Sequence, residues 1–488
     1  MIAGRQARVA AAEPELRAED RPLDWGRERE MNAVEALMWR AEEDPRLRST
    51  ICGLEELDVA PEWERFVAAH EWATRLVPRF RQRVVEPLGG LGAPAWVTDP
   101  DFDLHYHVRR VRLPLGSWTD LLAAAEQVAM TPFDRHRALW EAVLFEGLPE
   151  GRAAYLIKLH HSTTDGLGVV DLLSNLHSRK RESDPDKPQP LPPLPEHRTP
   201  AQELAHQLAR DTRALPRELA RATLEALRLL GAPTTTMRDA LRVGSSLRRM
   251  FGDAAEGSPL LRERGMSWRF SAFDVEFADL RAAAKSVGGS VNDAFLAALL
   301  GGFRHYHAEL GAELERMPIA VPISVRSAAD ARGGNQIVAA WLAAPIGIED
   351  PHARMQAIGE MMRLARGEPA MSALGLVAPA LSRLPGPLIS QLAGGLTKAN
   401  DLQASNVRGI REDVYIAGAK IVRAYPFGPL PGCASMVTLA SHGSLCCIGA
   451  NVDPAAVKEP ERLDRNLCEG FDEILALGGE FAPTQQRV

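Results

Sequence analysis

The stretch Tyr155-Leu-Ile-Lys-Leu-His-His-Ser-Thr-Thr-Asp-Gly-Leu-Gly168 decides the fold, because an apolar run gives way to a polar loop and then to a helical pattern. Residues 153–161 predict a strand, in which successive side chains point to opposite faces. His160 therefore shares a face with Lys158. His161 lies on the other face, in an apolar row: Tyr155, Ile157 and Leu159. The two adjacent histidines are predicted to point in opposite directions.

A helix is predicted directly after the loop. Its apolar residues recur at positions i, i+3, i+4 and i+7 and form one stripe: Val169, Leu172, Leu173 and Leu176. Asp165 and Gly166 stand at the entry of this helix, where an aspartate can act as an N-cap that contributes about 1 kcal/mol. The order of strand, tight turn and helix indicates an α/β protein.

His161 is the strongest candidate for chemistry, and three interpretations of it stay open. An imidazole with an ordinary pKa of about 6.5 can be largely neutral at pH 7 and take a proton from a hydroxyl group. A structural interpretation makes His161 a buried, hydrogen-bonded core residue and Asp165 a helix cap. A zinc site is disfavoured, because adjacent strand histidines diverge and no third Cys or His lies nearby at ligand spacing. We favour catalysis and expect no metal.

The rest of the chain is organised around a Pro-rich segment at 183–200. Its prolines exclude helix and remove donors from a strand ladder, so an extended, exposed linker is predicted. Four parts follow from this boundary: a loose leader over 1–28, an N-terminal α/β half over 29–182, the linker with a helical connector over 183–264, and a C-terminal α/β half over 265–488. Further predicted elements are a helix over 118–130 and strands over 317–323, 336–346 and 435–440.

Composition excludes several classes of protein. The 488 residues carry a formal net charge of −7, which disfavours a nucleic-acid partner. Five cysteines without a CxxC pair argue against a disulfide framework and fit a reducing cytoplasm. No run of about 18 apolar residues lacks Pro or Gly breaks, so no transmembrane helix is predicted. The connector is locally basic, because residues 201–250 contain nine arginines against five acidic residues.

The string His160-His161-x-x-x-Asp165-Gly166 resembles the signature of the coenzyme A-dependent acyltransferase superfamily, which includes chloramphenicol acetyltransferase and peptide-synthetase condensation domains. Other segments, in the expected order, resemble the wax ester synthase/diacylglycerol acyltransferase family within it. They are Pro100–His105, Ala138–Glu141, Val291–Ala297, Val321–Arg326, Gly334-Asn335, Ser405–Val407, Tyr425–Leu430 and Gly449–Asp453. The resemblance covers about residues 30–480. Ala138 departs from the usual proline, and His442 from a common aromatic residue.

The resemblance implies two chloramphenicol-acetyltransferase-like α/β halves with the active-site channel between them. The candidate catalytic residues are His161, His160 and Asp165, with His161 as the base and Gly166 supporting the motif. Asp165 is expected to turn away from the substrate and brace its loop through an arginine, for which Arg326 is the candidate.

Asn292 and Asp293 resemble the family's Asn-Asp motif, which makes them candidates for supporting the site. The apolar stripe that follows them is also compatible with a purely structural role. In that case Asn292 is an N-cap and Asp293 a partner of the helix dipole.

The resemblance also implies a reaction in which a fatty acyl group passes directly from acyl-CoA to diacylglycerol or a long-chain alcohol. Acyl-CoA is then a co-substrate, and no cofactor is expected. Since both substrates are greasy, we expect a cytoplasmic enzyme that docks peripherally on the inner membrane face or on lipid inclusions. The basic connector or the apolar segment 373–396 would make this contact. Two alternatives stay open: a carrier-protein-dependent condensation or polyketide-associated acyltransferase, and a non-catalytic lipid-binding module.

Overall fold

The computed structural model describes residue 23 and the ranges 25–184, 189–210, 212–213, 256–324, 337–366 and 400–488, together with residue 187. The strands are β1 (Thr50–Leu57), β2 (Gln82–Val85), β3 (Ala95–Thr98), β4 (Val108–Arg112), β5 (Trp140–Glu146), β6 (Ala153–His160), β7 (Arg269–Glu276), β8 (Met317–Ser324), β9 (Ile337–Ala344), β10 (Leu402–Val407), β11 (Tyr415–Ile416), β12 (Ala419–Phe427), β13 (Ser435–His442), β14 (Leu445–Val452) and β15 (Gln485–Arg487).

The α-helices that lie wholly within the described residues are α1 (Ala33–Ala41), α2 (Trp63–Leu76), α3 (Leu104–His107), α4 (Trp118–Met130), α5 (Gly166–Leu176), α6 (Phe277–Ser286), α7 (Val291–Glu309), α8 (Pro351–Arg366) and α9 (Pro460–Leu475). A further helical segment covers 200–210. Within the described ranges, no helix combines the length and the apolar character that a bilayer crossing requires.

The first sheet has the strand order β11-β12-β1-β6-β5-β4. Its pairs are antiparallel except for β4 and β5, which run parallel. One face packs against α2 and α5 through a core that includes Phe66, Ile157 and Leu172. The other face packs against α4 and strands of the second sheet, with Leu156 and Phe270 in that core. A sheet covered on both faces explains why β6 is buried along its whole length.

The second sheet has the strand order β15-β7-β14-β13-β10-β8-β9. Four helices, α6, α7, α8 and α9, pack over it and form the largest apolar cluster in the described part of the chain. The α7 and α9 backbones approach closely at two glycines. A Cβ at Gly302 would lie 2.8 Å from the Leu467 Cα, and a Cβ at Gly470 would overlap the Ala298 carbonyl oxygen. Glycine at these positions therefore permits the helix contact that supports the second sheet.

Strand β12 joins the two halves. It belongs to the predicted C-terminal half over 265–488, yet it pairs with β1 in the first sheet. Its Arg423 Nε and Tyr425 hydroxyl each donate to Asp274 of β7, at 2.7 and 2.6 Å. The sheets are therefore interlocked, and a single boundary in the sequence does not separate them.

The sequence-based elements near the site agree with the structure. The helix predicted over 118–130 is Trp118–Met130, and the strand predicted over 153–161 is Ala153–His160. The strands predicted over 317–323, 336–346 and 435–440 are present as β8, β9 and β13. The Pro-rich linker has no regular structure over 189–199, as predicted. Most of the connector, residues 214–255, and the apolar segment 373–396 lie outside the described residues.

Candidate active site

A cavity of about 500 Å³ lies where the two sheets meet, and most of its wall is apolar. Strands β1 and β6 and helix α5 line it from the first half, and β8, β9, β10 and β13 from the second half. Its volume is typical of a ligand pocket. His161 and Gly166 both line it, so the cavity lies where the resemblance implies an active-site channel.

His161 follows the last residue of β6 and is held at two points. Its backbone N–H donates to the Ser49 carbonyl oxygen at 2.7 Å, and its Nδ1 lies 3.0 Å from the Thr164 carbonyl oxygen. A carbonyl oxygen only accepts, so Nδ1 carries the proton and the lone pair is on Nε2. Burial lowers the pKa of the His161 imidazole below its ordinary value, despite a smaller opposing effect of Asp165. The neutral imidazole required of a base is thus favoured at pH 7.

His160 points to the opposite face, as the strand alternation predicts. Its side chain is fully buried, with its ring edge-on to Trp39 and to Phe133. Its Nδ1 accepts from the Ser162 backbone N–H at 3.0 Å, and its Nε2 lies 3.1 Å from the Glu42 carboxylate. The two adjacent imidazoles therefore diverge, and they cannot converge on one metal ion.

Asp165 caps α5, as the structural interpretation of the sequence predicted. Its buried Oδ1 accepts from the Gly168 backbone N–H at 2.8 Å. The turn leaves no room for larger residues, because a Cβ at Gly168 would overlap the Thr164 hydroxyl. A Cβ at Gly166 would lie 3.2 Å from Val407 of β10, at the junction of the two halves. The Asp-Gly pair therefore fixes the turn that positions His161.

The remaining predicted site residues have different outcomes. The N-cap of α7 is Ser290, and Asn292 is not the cap that the sequence suggested. Asp293 completes a capping box, since its Oδ2 accepts from the Ser290 N–H at 2.8 Å. Neither Asn292 nor Asp293 is among the described residues that line the cavity. Arg326, the predicted partner of Asp165, lies outside the described residues.

Three titratable residues of the cavity wall were not identified from the sequence: Cys52, Glu55 and His177. Burial raises the pKa of the Cys52 thiol to about 12. His177 is the C-cap of α5, and its Nε2 lies 3.4 Å from the Oε2 of Glu55 on β1. The available signal in the sequence was a carboxylate inside the otherwise apolar start of β1, Thr50–Leu57.

Comparison with known proteins assigns both parts of the chain to one family. The family model described as the wax ester synthase/diacylglycerol acyltransferase catalytic domain matches residues 30–295. The model of the C-terminal domain of the same family matches residues 333–475. A Mycobacterium tuberculosis protein provisionally named diacylglycerol O-acyltransferase is 43% identical over 463 residues, or 93% of each chain. A second such protein from the same organism is 30% identical over 477 residues.

Solved structures support the fold. A wax ester synthase/diacylglycerol acyltransferase from Marinobacter aquaeolei VT8 superposes with a TM-score of 0.63 at 22% identity, covering 92% of this chain and 100% of the other. The first condensation domain of the calcium-dependent antibiotic synthetase has a TM-score of 0.59 at 16% identity, covering 94% and 98%. The predicted architecture of two chloramphenicol-acetyltransferase-like halves is confirmed.

Proposed function

The chain belongs to the wax ester synthase/diacylglycerol acyltransferase family and is an O-acyltransferase, and we propose that His161 is its general base. The substrates we propose are acyl-CoA and the hydroxyl group of diacylglycerol or a long-chain alcohol. The observation that carries the proposal is the placement of a neutral imidazole on the wall of an apolar cavity. An apolar wall suits two long aliphatic chains. Deprotonation of the acceptor hydroxyl group requires a proton acceptor beside them.

Proton transfer follows from the tautomer of His161. The Thr164 carbonyl holds the Nδ1–H, so Nε2 accepts the proton of the acceptor hydroxyl. The resulting alkoxide-like oxygen attacks the thioester carbon of acyl-CoA, and the carbon–sulfur bond breaks. The proton on Nε2 then passes to the departing coenzyme A sulfur, which returns His161 to its starting state.

Direct transfer without an acyl-enzyme is supported by the state of the cysteine in the wall. Cys52 is the only cysteine among the described residues that line the cavity. Since burial raises its thiol pKa to about 12, it stays protonated at neutral pH and is a poor nucleophile. We therefore propose that acyl-CoA acts as a co-substrate and that the chemistry uses His161 without a further cofactor.

The deciding experiment uses the purified protein, radiolabelled palmitoyl-CoA and a panel of acceptors, with products separated by thin-layer chromatography. Diacylglycerol and long-chain alcohols should yield labelled esters, and acyl groups on a carrier protein should be poor donors. Efficient transfer only from a carrier protein would favour the condensation-type alternative. Lipid binding without any product would favour the lipid-binding module.

We further propose peripheral docking on lipid at the inner membrane face or on lipid inclusions. The arginine-rich sequence of 201–250 supports it, since each basic residue contributes about 1 kcal/mol near an anionic surface. Three exposed leucines, Leu88, Leu91 and Leu208, lie near the start of this connector, where the Gln207 amide bonds Ala93.

Liposome flotation at low and high salt tests the docking proposal. Wild-type protein should bind anionic vesicles at low salt, and an Arg242/Arg248/Arg249→Glu variant should not. Binding that ignores both salt and these substitutions would contradict a role for the connector and point to the segment 373–396.

A further inference from the structure

Two adjacent glutamates of β1 have contrasting surroundings. Glu56 faces away from the cavity and pairs with Arg152 and Arg423, each at 3.0 Å. Glu55 faces the cavity, and its nearest charged or titratable partner is His177. Both Glu55 and His177 are buried, at 3% and 7% exposure.

The hydrogen-bonding capacity of the Glu55–His177 pair is not satisfied by other groups among the described residues. The His177 Nε2 and Glu55 Oε2 are 3.4 Å apart but not in hydrogen-bonding geometry. Among the described residues, none forms a hydrogen bond with either ring nitrogen of His177. None donates a hydrogen bond to Glu55 Oε2 either. Buried polar groups are usually hydrogen-bonded, and each one left without a partner costs about 1–3 kcal/mol. The pair is therefore poised to bond a polar group that enters the cavity.

A neighbouring polar pair provides the contrast. His70 and Tyr155 are buried beside His177 and, with it, line a small chamber of about 40 Å³. The His70 Nδ1 donates to the Phe66 carbonyl at 2.8 Å, and the Tyr155 hydroxyl donates to His70 Nε2 at 3.1 Å. Burial lowers the pKa of His70 to about 4 and raises that of Tyr155, so both are neutral. This pair is complete and does not line the main cavity.

The Glu55–His177 pair lies far from the reacting centre but in the same cavity. Glu55 is opposite Tyr155, six residues before His161, which corresponds to about 20 Å along a strand. From Asp165 to His177 is twelve residues of helix, which corresponds to about 18 Å. Two independent elements thus give the same separation, one that an extended long fatty chain spans.

We propose that Glu55 and His177 form a second binding site, which recognises a hydroxyl group carried near the far end of a lipid chain. This inference rests on the proposed function for the identity of the chain-bearing substrates. A hydroxyl group can donate one hydrogen bond and also accept, which matches a carboxylate acceptor beside an imidazole. The apolar wall between the two sites contacts the lipid chain. The ligand needs no charged group, because an uncharged hydroxyl group can bond this pair.

The test compares matched ligands with and without a terminal hydroxyl group. Palmitate and ω-hydroxypalmitate represent the acyl side, and hexadecanol and the corresponding α,ω-diol represent the acceptor side. Titration calorimetry on the full chain gives the dissociation constants, and the CoA thioesters and alcohols give kcat/KM in parallel. In one of the two arms, wild-type protein should favour the hydroxylated ligand by about tenfold.

Three variants locate the effect. His177→Leu, which replaces the imidazole with an apolar side chain of similar size, should bring the preference to one or reverse it, and Glu55→Gln should reduce it. Tyr155→Phe, which changes only the satisfied neighbour, should leave the preference unchanged. Thermal denaturation of each variant separates loss of folding from loss of recognition.

The outcomes for the two proposals are distinguishable. No preference in either wild-type arm, or a preference that survives in both His177→Leu and Glu55→Gln, overturns the second site. If His177→Leu does not fold, Glu55→Gln alone decides the question. Failure of palmitoyl-CoA to yield any ester overturns the proposed function, while calorimetry still decides whether the hydroxyl group is recognised.

Discussion

The two faces of the first sheet differ in how their polar side chains are used. On the face against α4 and the second sheet, Lys158 pairs with Glu141 at 2.9 Å and Glu56 pairs with two arginines. On the cavity face, the apolar row of β6 ends at His161, and the Glu55–His177 pair lies at the other end. Lys158 and Glu56 on the first face thus have ion-pair partners within the protein, whereas the side chains of Glu55 and His177 on the second face complete no hydrogen bond with each other.

This difference shows how one strand can serve both stability and chemistry. Side chains alternate between faces, so sequence neighbours such as His160 and His161, or Glu55 and Glu56, have separate environments. A substitution on the face that packs against α4 should therefore change stability first. A substitution on the cavity face should change turnover or selectivity first.

The largest expected effect is on turnover in His161→Ala. A positioned base contributes about 10²–10⁴-fold, so kcat should fall by that factor while the melting temperature stays close to wild type. His160→Ala is the matched control on the opposite face, which packs against α4. It leaves the half-buried Glu42 carboxylate without its imidazole neighbour and should cost about 1–3 kcal/mol of stability, with a smaller loss of kcat. Retention of more than about a tenth of wild-type kcat in His161→Ala would contradict the assignment.

Lys158→Met should destabilise the protein without directly changing the cavity. The fully buried ammonium also donates to the Thr131 carbonyl oxygen at 2.7 Å. Its loss leaves Glu141 with Arg109 as its remaining ion-pair partner, so a cost of about 3 kcal/mol in the free energy of unfolding is expected. Urea denaturation measures it. The Lys158→Met/Glu141→Gln double variant should recover part of the loss, and equal loss in both would argue against an unpaired carboxylate as the cause.

Asp165→Ala should have a smaller effect on stability, since it removes the cap of α5. The expected cost is about 1 kcal/mol, and because the cap fixes the turn beside His161, kcat should fall as well. Asp165→Asn keeps an oxygen that can accept from Gly168 but removes the charge. Thermal denaturation of both variants separates the cap from the charge: a loss in Asp165→Asn as large as that in Asp165→Ala would indicate that a charged partner, such as the predicted Arg326, dominates.

Much of the fold and part of the site could be predicted from the sequence. Strict alternation in β6 and an i, i+3, i+4, i+7 stripe in α5 are local patterns, and they correctly divided His160 from His161. Asp165 followed from cap chemistry at the helix entry. In contrast, the structural interpretation of Asn292 places the N-cap of α7 two residues too late, because Ser290 offers the same capping chemistry.

The rest depends on contacts between distant parts of the chain. Strand β12 leaves its own half to pair with β1, and no local pattern in 419–427 specifies that partner. Glu55 and His177 are 122 positions apart in sequence and meet only because α5 runs back along β6. Long-range packing decides whether a buried carboxylate has an ion-pair partner in the protein. Glu56 pairs with two arginines, whereas Glu55 faces the cavity beside His177.

The central claim is that the neutral imidazole of His161 takes the proton, and the pH dependence of kcat/KM tests it most directly. Burial lowers the pKa of His161, so the active, neutral form should persist above that pKa and be lost as the pH falls through it. Wild-type kcat/KM should therefore show an acid limb with a midpoint below about 6.5. The residual activity of His161→Ala should lack this limb. A midpoint above the ordinary histidine value, or the same acid limb in His161→Ala, would contradict the account.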